Sequence, residues 1–166
     1  MNAGFRIRPA VEEDITGAVR LERTIENVPH WAVADYVAAV VEADHAADLQ
    51  GIERCFFVAE AGRQVVGFAV GRLTMLEAEV LAELETVAVA DAFRRAGIGR
   101  ALCEAVIRWA RENRAAEIEL EVRSRSAGAI SLYKALGFSA VGARRNYYRD
   151  PADDAVLMRL ALRTSD

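Results

Sequence analysis

The sequence predicts a single mixed α/β (α+β) domain over residues 1–166, with a central sheet of about seven strands flanked by about four helices. Three observations predict it. Segments that alternate with period two outnumber segments of helical periodicity. Hairpin-like pairs of strands stand beside strand–helix–strand crossovers, which argues against a doubly wound parallel sheet. A chain of 166 residues, 53% of them hydrophobic, can bury one core, and it shows no internal repeat, linker or low-complexity segment.

The elements follow in order. Phe5 to Pro9 alternates apolar and polar residues, a short strand that Pro9 ends or confines to an edge. Glu12 to Glu26 carries Ile15, Ala18, Val19 and Leu21 at helical spacing behind an acidic first turn. Pro29-His30-Trp31 breaks that pattern, and Val33 to Val41 resumes it as a second helix. Asp44 to Arg54 is polar and reads as loop. Cys55 to Glu60 and Val65 to Leu73 form a hairpin around Ala61-Gly62-Arg63-Gln64. After the polar residues Glu77 to Glu79, Leu81 to Val89 is another strand. Ala90 to Gly99 is a loop opening a helix to about Asn113, whose apolar stripe is Ala101, Leu102, Ala105, Val106 and Trp109. Glu117 to Val122 alternates, with Ile118, Leu120 and Val122 on one face. Ser126 to Leu136 is a helix with Gly137 as its C-cap, and Ser139 to Arg145 and Ala155 to Leu162 are the last strands.

Composition limits the function. A net charge of −4 lacks the basic face that a nucleic-acid phosphate track needs, and suits a cationic acceptor only weakly. Cys55 and Cys103 make no disulfide framework, and Cys103 lies within an apolar helical pattern as a buried small hydrophobe. His30 and His45 stand fifteen residues apart and neither has ligand spacing to a cysteine, so no metal is expected. No run approaches the ~18 apolar residues of a membrane span. Met1 to Arg6 shows no basic-then-apolar signal pattern, so no membrane partner is expected and the cytoplasm is the expected compartment. Nothing in the sequence reports an oligomeric state.

The turn Arg94-Arg95-Ala96-Gly97-Ile98-Gly99-Arg100 lies between a buried-type strand and an amphipathic helix. Such a junction collects unpaired backbone N–H groups and the positive end of a helix dipole. Glycines admit unusual φ values and close approach by a bulky anion, and a pyrophosphate is the natural guest. Two glycines also describe a plain loop whose only role is packing. Neither a P-loop nor a three-glycine dinucleotide fingerprint is present.

Arg-x-x-Gly-x-Gly after Val87-Ala88-Val89, in this order of elements, resembles the central motif of the GNAT superfamily of N-acetyltransferases along essentially the whole chain. The resemblance implies a mostly antiparallel sheet that splays at the cofactor site, and acetyl-CoA as cosubstrate. It implies that Val87, Ala88 and Val89 face the pantetheine arm, and that Arg94, Arg95, Ala96, Gly97, Ile98, Gly99 and Arg100 surround the pyrophosphate. Two further blocks, Leu120-Glu121-Val122-Arg123 continuing to Tyr133 and Arg144-Arg145-Asn146-Tyr147-Tyr148, resemble the bacterial ribosomal-protein-alanine acetyltransferases of the RimI type. By that resemblance Glu121 is the general base, Tyr133 the general acid, and the acceptor is the N-terminal α-amine of a ribosomal protein. Trp31, Glu85, Tyr147 and Tyr148 then line the acceptor cleft.

The chemistry is consistent. An α-ammonium of pKa about 7.7–8 must lose a proton before it attacks, and a carboxylate can take it directly or through a water. A departing thiolate like that of cysteine, pKa ~8.5, can accept a proton from a neutral tyrosine of pKa ~10. Backbone N–H groups near Val87 to Val89 could polarise the thioester carbonyl. Other readings stay open. Glu117, Glu119 and Glu121 share a strand face, as a solvated face also would. Glu83 and Glu85 rival Glu121 as base. Tyr133 reads equally as a core aromatic. Ser126 stands where relatives often carry an asparagine that contacts the cofactor, and His30 is inserted into a Pro-Trp element. The acceptor could be another amine (a polyamine, amino acid, antibiotic or lysine side chain), or the chain could bind CoA without catalysis.

Overall fold

The computed structural model describes residues 4–25, 32–43, 51–149 and 151–163, leaving aside the side chains at 42 and 43. Its strands are β1 (Arg6–Pro9), β2 (Ile52–Ala61), β3 (Gln64–Leu76), β4 (Glu79–Val89), β5 (Glu117–Arg123), β6 (Ser139–Arg149) and β7 (Ala152–Ala161). Its helices are α1 (Ile15–Arg23), α2 (Val33–Ala43), α3 (Ile98–Glu112) and α4 (Ala127–Ala135). The sheet runs β1-β2-β3-β4-β5-β7-β6. Every neighbouring pair is antiparallel except β4 and β5, which are joined by the α3 crossover and run parallel.

Element order and fold class agree with the sequence reading; the boundaries differ in instructive ways. Residues 52–54, expected as loop, extend β2, because Arg54 pairs across the ladder with Arg72. The β3–β4 hairpin runs on to Leu76 and restarts at Glu79. Glu12–Asp14 is a 3₁₀ turn and not the first turn of α1, since Asp14 folds back to accept from the Val11 N–H at 2.8 Å. The helix ends at Arg23. The strand expected to stop at Arg145 continues to Arg149, carrying Asn146, Tyr147 and Tyr148 with it.

Two apolar layers hold the sheet. On one face α3 packs Leu102, Cys103, Val106, Ile107 and Ala110 against Leu73, Leu84, Ile118, Leu120 and Val122, with α4 against the same layer. On the other, α1 and α2 cover Phe56, Val58, Phe68 and Val70. Each fully buried Val, Leu, Ile or Phe among them contributes about 1.5–3 kcal/mol of transfer free energy. Tyr36 of α2 stacks on Phe56 and Phe68 at centroid distances of 6.0 and 5.8 Å, and its hydroxyl donates to the buried Glu22 of α1. Gly71 lets α3 approach the sheet: a Cβ there would stand 2.6 Å from Val106 Cγ1 and 3.2 Å from Trp109 Cζ3.

Two local features set the position of the site. Pairing between β4 and β5 covers Leu81↔Glu117, Ala82↔Ile118 and Glu83↔Glu119, and then stops, although β4 runs on to Val89 and β5 to Arg123. The strands part there, leaving facing backbone edges without a ladder. In addition, Gly71 pairs with Leu84 and Val70 with Thr86, so Glu85 is an extra residue, a β-bulge. The bulge inverts the faces of β4. Leu84 belongs to the α3 layer but Ala88 to the α1–α2 layer, and Val87 and Val89 pack on the α3 side.

Candidate active site

At the head of α3, Arg95 and Gly97 both adopt left-handed backbone, with φ of 62° and 83°. Gly97 is the N-cap, no side chain caps the helix, and the first helical bond runs from the Ala101 N–H to the Gly97 carbonyl at 3.0 Å. The N–H groups of the first turn therefore keep the donors that a helix cannot use internally. A Cβ on Gly97 would meet no atom within 4 Å, so the turn opens outward. Arg94, Arg95, Ala96 and Arg100 are exposed, whereas Ile98 is buried in the core. Arg94 pairs with Asp91 at 3.0 Å and Arg100 with Glu104 at 3.0 Å. An uncapped helix start, open backbone and three arginines fit an anionic pyrophosphate.

Gly99 continues that surface: its Cβ would lie 3.5 Å from Leu132 Cδ2 of α4 and 3.7 Å from Val89 Cγ2. The turn, the end of β4 and the second half of α4 therefore meet beside the gap between the parted strands. Ser126 is the N-cap of α4 without a side-chain cap bond, and its carbonyl accepts from the Ile130 N–H at 3.0 Å.

Tyr133 lies on the α3 side, half-buried, with its ring edge-on to Phe138 at 5.9 Å. Burial first, then the neighbouring Cys103 and Tyr148, push its phenol well above the ordinary value. Cys103 and Cys55 are buried, and burial raises both thiols, Cys103 to about 12.

Glu121 projects to the opposite face, because Leu120 and Val122 on either side belong to the α3 layer. Its carboxylate meets Arg144 Nε at 3.2 Å, and the Arg144 guanidinium lies 5.5 Å from the Tyr147 ring beside it. Glu121, as acceptor and as charge, holds the Tyr147 phenol above its ordinary value. Tyr148 packs edge-on to Tyr147 at 5.1 Å and lies under the Arg123 guanidinium at 4.1 Å. It feels both the Glu121 charge and, from the other side, Tyr133. Glu121 and Tyr133 thus lie on opposite faces of the sheet, with Tyr148 close to both.

The glutamates on the Glu121 face are not a solvated row. Glu119 pairs with Arg159 at 2.5 Å and Glu117 with the same guanidinium at 3.4 Å. Glu85 is held by Arg54 at 3.0 Å and by Arg72 at 3.6 Å, and Glu83 by Arg72 at 2.5 Å. Burial, then the charges of Glu85 and Glu121 against the opposing pull of Arg72, raise Glu83 above the ordinary carboxylate value. Trp31 lies outside the described residues. Sequence reasoning missed Arg54, Arg72, Arg123 and Arg144 as members of this site; only Arg123 and Arg144 carried a signal, as part of the quoted motifs. Among the described residues no group of three or more His, Cys, Asp or Glu could hold a metal, and no helix is long and apolar enough to cross a membrane.

A family model described as the acetyltransferase (GNAT) family matches residues 19–138. The N-alpha-acetyltransferase of Sulfurisphaera tokodaii is 33% identical over 95% of this chain and 93% of its own. The ribosomal protein bS18-alanine N-acetyltransferase of Escherichia coli is 37% identical over 60% of this chain and 66% of its own. The crystal structure of the ribosomal-protein-S18-alanine N-acetyltransferase from Escherichia coli superposes with a TM-score of 0.77 at 27% identity, covering 98% of this chain and 97% of that one.

Proposed function

Because the chain belongs to the GNAT acetyltransferase family and is an acetyl-CoA-dependent N-acetyltransferase, we propose that it acetylates the N-terminal α-amine of a protein, an alanine-initiated ribosomal protein, by direct attack in a ternary complex. The observation that carries this reading is the parting of β4 and β5, with a carboxylate on one face of the sheet and a half-buried phenol on the other.

Acetyl-CoA supplies the thioester. Its pyrophosphate suits the open head of α3, and the free edge of β4 at Val87, Ala88 and Val89 suits the amide-bearing pantetheine arm. Glu121 takes a proton from the acceptor ammonium, and the amine nitrogen forms its bond to the acetyl carbon. The carbon–sulfur bond breaks, and Tyr133 Oη gives its proton to the departing sulfur. The second proton of the attacking nitrogen leaves as the amide forms and restores Tyr133, while Glu121 releases its own to solvent. Raised as it is, Tyr133 holds that proton throughout the neutral range. The buried, protonated cysteines make a covalent acetyl-enzyme the poorer route.

The ion pairing of the neighbouring glutamates favours a single amine over a polyamine. Arg54, Arg72 and Arg159 already neutralise Glu85, Glu83 and Glu119. That leaves Glu121, whose partner is the exposed Arg144, as the carboxylate best placed for one cation. The names of the relatives support the same acceptor class.

The test is turnover of alanine-initiated peptides against spermine, free amino acids and lysine side chains, in wild type and Glu121→Gln. Peptide acetylation should dominate, and the variant should lose about 10²–10⁴-fold in kcat. Faster turnover of small amines overturns the acceptor. An unchanged Glu121→Gln overturns the base. CoA binding without acetylation of any amine leaves a silent binding module.

A further inference from the structure

Two residues of β6 gather beside Glu121, and their spacing is unusual for a strand. Arg144 and Tyr147 are three residues apart, so in a regular strand they would point to opposite faces. Here Arg144 pairs with Glu121 while its guanidinium lies 5.5 Å from the Tyr147 ring, so both stand on the Glu121 side. The cause is Asn146, whose left-handed φ of 51° coincides with a break in the β6–β7 register between Arg144 and Tyr148. The Asn146 N–H donates to Asp154 Oδ1 at 2.8 Å, which holds that conformation. The register break therefore gathers a cation and a hydroxyl over Glu121.

Arg144 is also more exposed than Arg54, Arg72 and Arg159, the arginines that hold the neighbouring glutamates. Its side chain is 58% exposed against 22% for Glu121, and its guanidinium leans on the Tyr147 ring at 5.5 Å. The Arg54–Glu85 pair, by contrast, is 21% and 11% exposed. An exposed pair of this kind is weak and easily exchanged. A guanidinium and an ammonium carry the same charge and both donate N–H to a carboxylate, the first from a planar fork and the second from three rotatable N–H groups. A base that must take a proton from an ammonium needs that ammonium against its oxygen.

We propose that Arg144 is the cation that the acceptor amine displaces: in the free protein its guanidinium occupies the side of Glu121 to which the incoming ammonium binds, while Tyr147 keeps the carboxylate oriented. The proposal rests on the reading of Glu121 as the base for an α-amine acceptor. Arg144 is a positioning residue, acting through Glu121. It sets the acceptor affinity by competition, and it disfavours any acceptor whose charge is too diffuse to replace it.

The experiment is calorimetric titration of an alanine-initiated peptide into the protein–CoA dead-end complex, for wild type, Arg144→Gln, Arg144→Lys, Glu121→Gln and the double variant Arg144→Gln/Glu121→Gln. Arg144→Gln should bind the peptide about two- to fivefold more tightly, the worth of an exposed ion pair. Arg144→Lys should restore the wild-type affinity. In the Glu121→Gln background the Arg144→Gln substitution should change nothing, a coupling that a merely structural role or a general charge effect would not produce. Unchanged or weaker binding by Arg144→Gln overturns the proposal, as does equal tightening with and without Glu121. If the peptide binds as proposed but Glu121→Gln acetylates normally, the base assignment falls and this inference with it. A wild-type–CoA complex that takes no peptide overturns both the acceptor and the exchange.

Discussion

Tyr133→Phe isolates one proton. The substitution removes the hydroxyl and keeps the ring, so the edge-on contact with Phe138 at 5.9 Å and the packing against the α3 layer survive. Its stability cost should therefore stay within about 1 kcal/mol, the net worth of one hydrogen bond. Its catalytic cost should be the loss of a general acid, about 10²–10⁴-fold in kcat, equivalent to about 2.7–5.4 kcal/mol of barrier. The pH profile adds a second signature. Burial raises the phenol, and an acid works only while protonated, so its loss moves to higher pH. Wild-type kcat should show no alkaline limb from this group below about pH 10, the ordinary phenol value. The assay is steady-state release of the CoA thiol with a thiol reagent, alongside thermal unfolding and CoA binding. A variant that keeps the wild-type kcat refutes the assignment. So does an alkaline limb below pH 10 that disappears in Tyr133→Phe.

Three other perturbations follow from the geometry. Gly97→Ala introduces a side chain at φ 83° where no atom lies within 4 Å, so it meets strain and no clash; the strain of about 1–2 kcal/mol should appear as weaker CoA binding by calorimetry, with the fold kept. Gly71→Ala drives a methyl to 2.6 Å from Val106 Cγ1 and should cost about 1–3 kcal/mol, lowering Tm by about 2–4 °C per kcal/mol. Asp14 accepts from Arg8 at 2.7 and 2.9 Å and from the Val11 N–H, and the guanidinium holds its carboxyl below the usual range. A depressed carboxylate stabilises the fold above its unfolded pKa of about 3.9 and loses that contribution as pH falls through the folded value. Tm of wild type should therefore fall below about pH 4, and Asp14→Asn should lose about 1.5–3 kcal/mol at neutral pH and show a shallower acid limb.

Much of the fold was legible because its signals are local. Period-two alternation marked Ile118, Leu120 and Val122 as the buried face of β5, and their burial bears this out. Gly137, expected as a C-cap, follows α4 at φ 101°. Cys103, expected as a buried hydrophobe, is fully buried. The failures share a cause: they depend on partners distant in the chain. Glu53 and Arg54 look polar, yet Arg54 is satisfied by Glu85 on β4, thirty-one residues away, and so the strand begins early. Asp14 reads as an acidic first turn until Arg8 on β1 claims it.

By itself, the sequence determined the order of the elements and the glycine turn at the head of α3, both read from spacing along one segment. Glu121 and Tyr133 were singled out by the resemblance of their motifs to a family, since their own patterns fit a solvated face and a core aromatic equally well. Only the tertiary structure decided what those groups face. The end of the β4–β5 ladder at Glu83↔Glu119 opens the gap, and the Glu85 bulge turns Val87 and Val89 to the α3 side. Asn146 then brings Arg144 and Tyr147 together beside Glu121. Register, bulges and parting of strands are properties of pairs of segments, and a pattern read along a single segment carries no record of them.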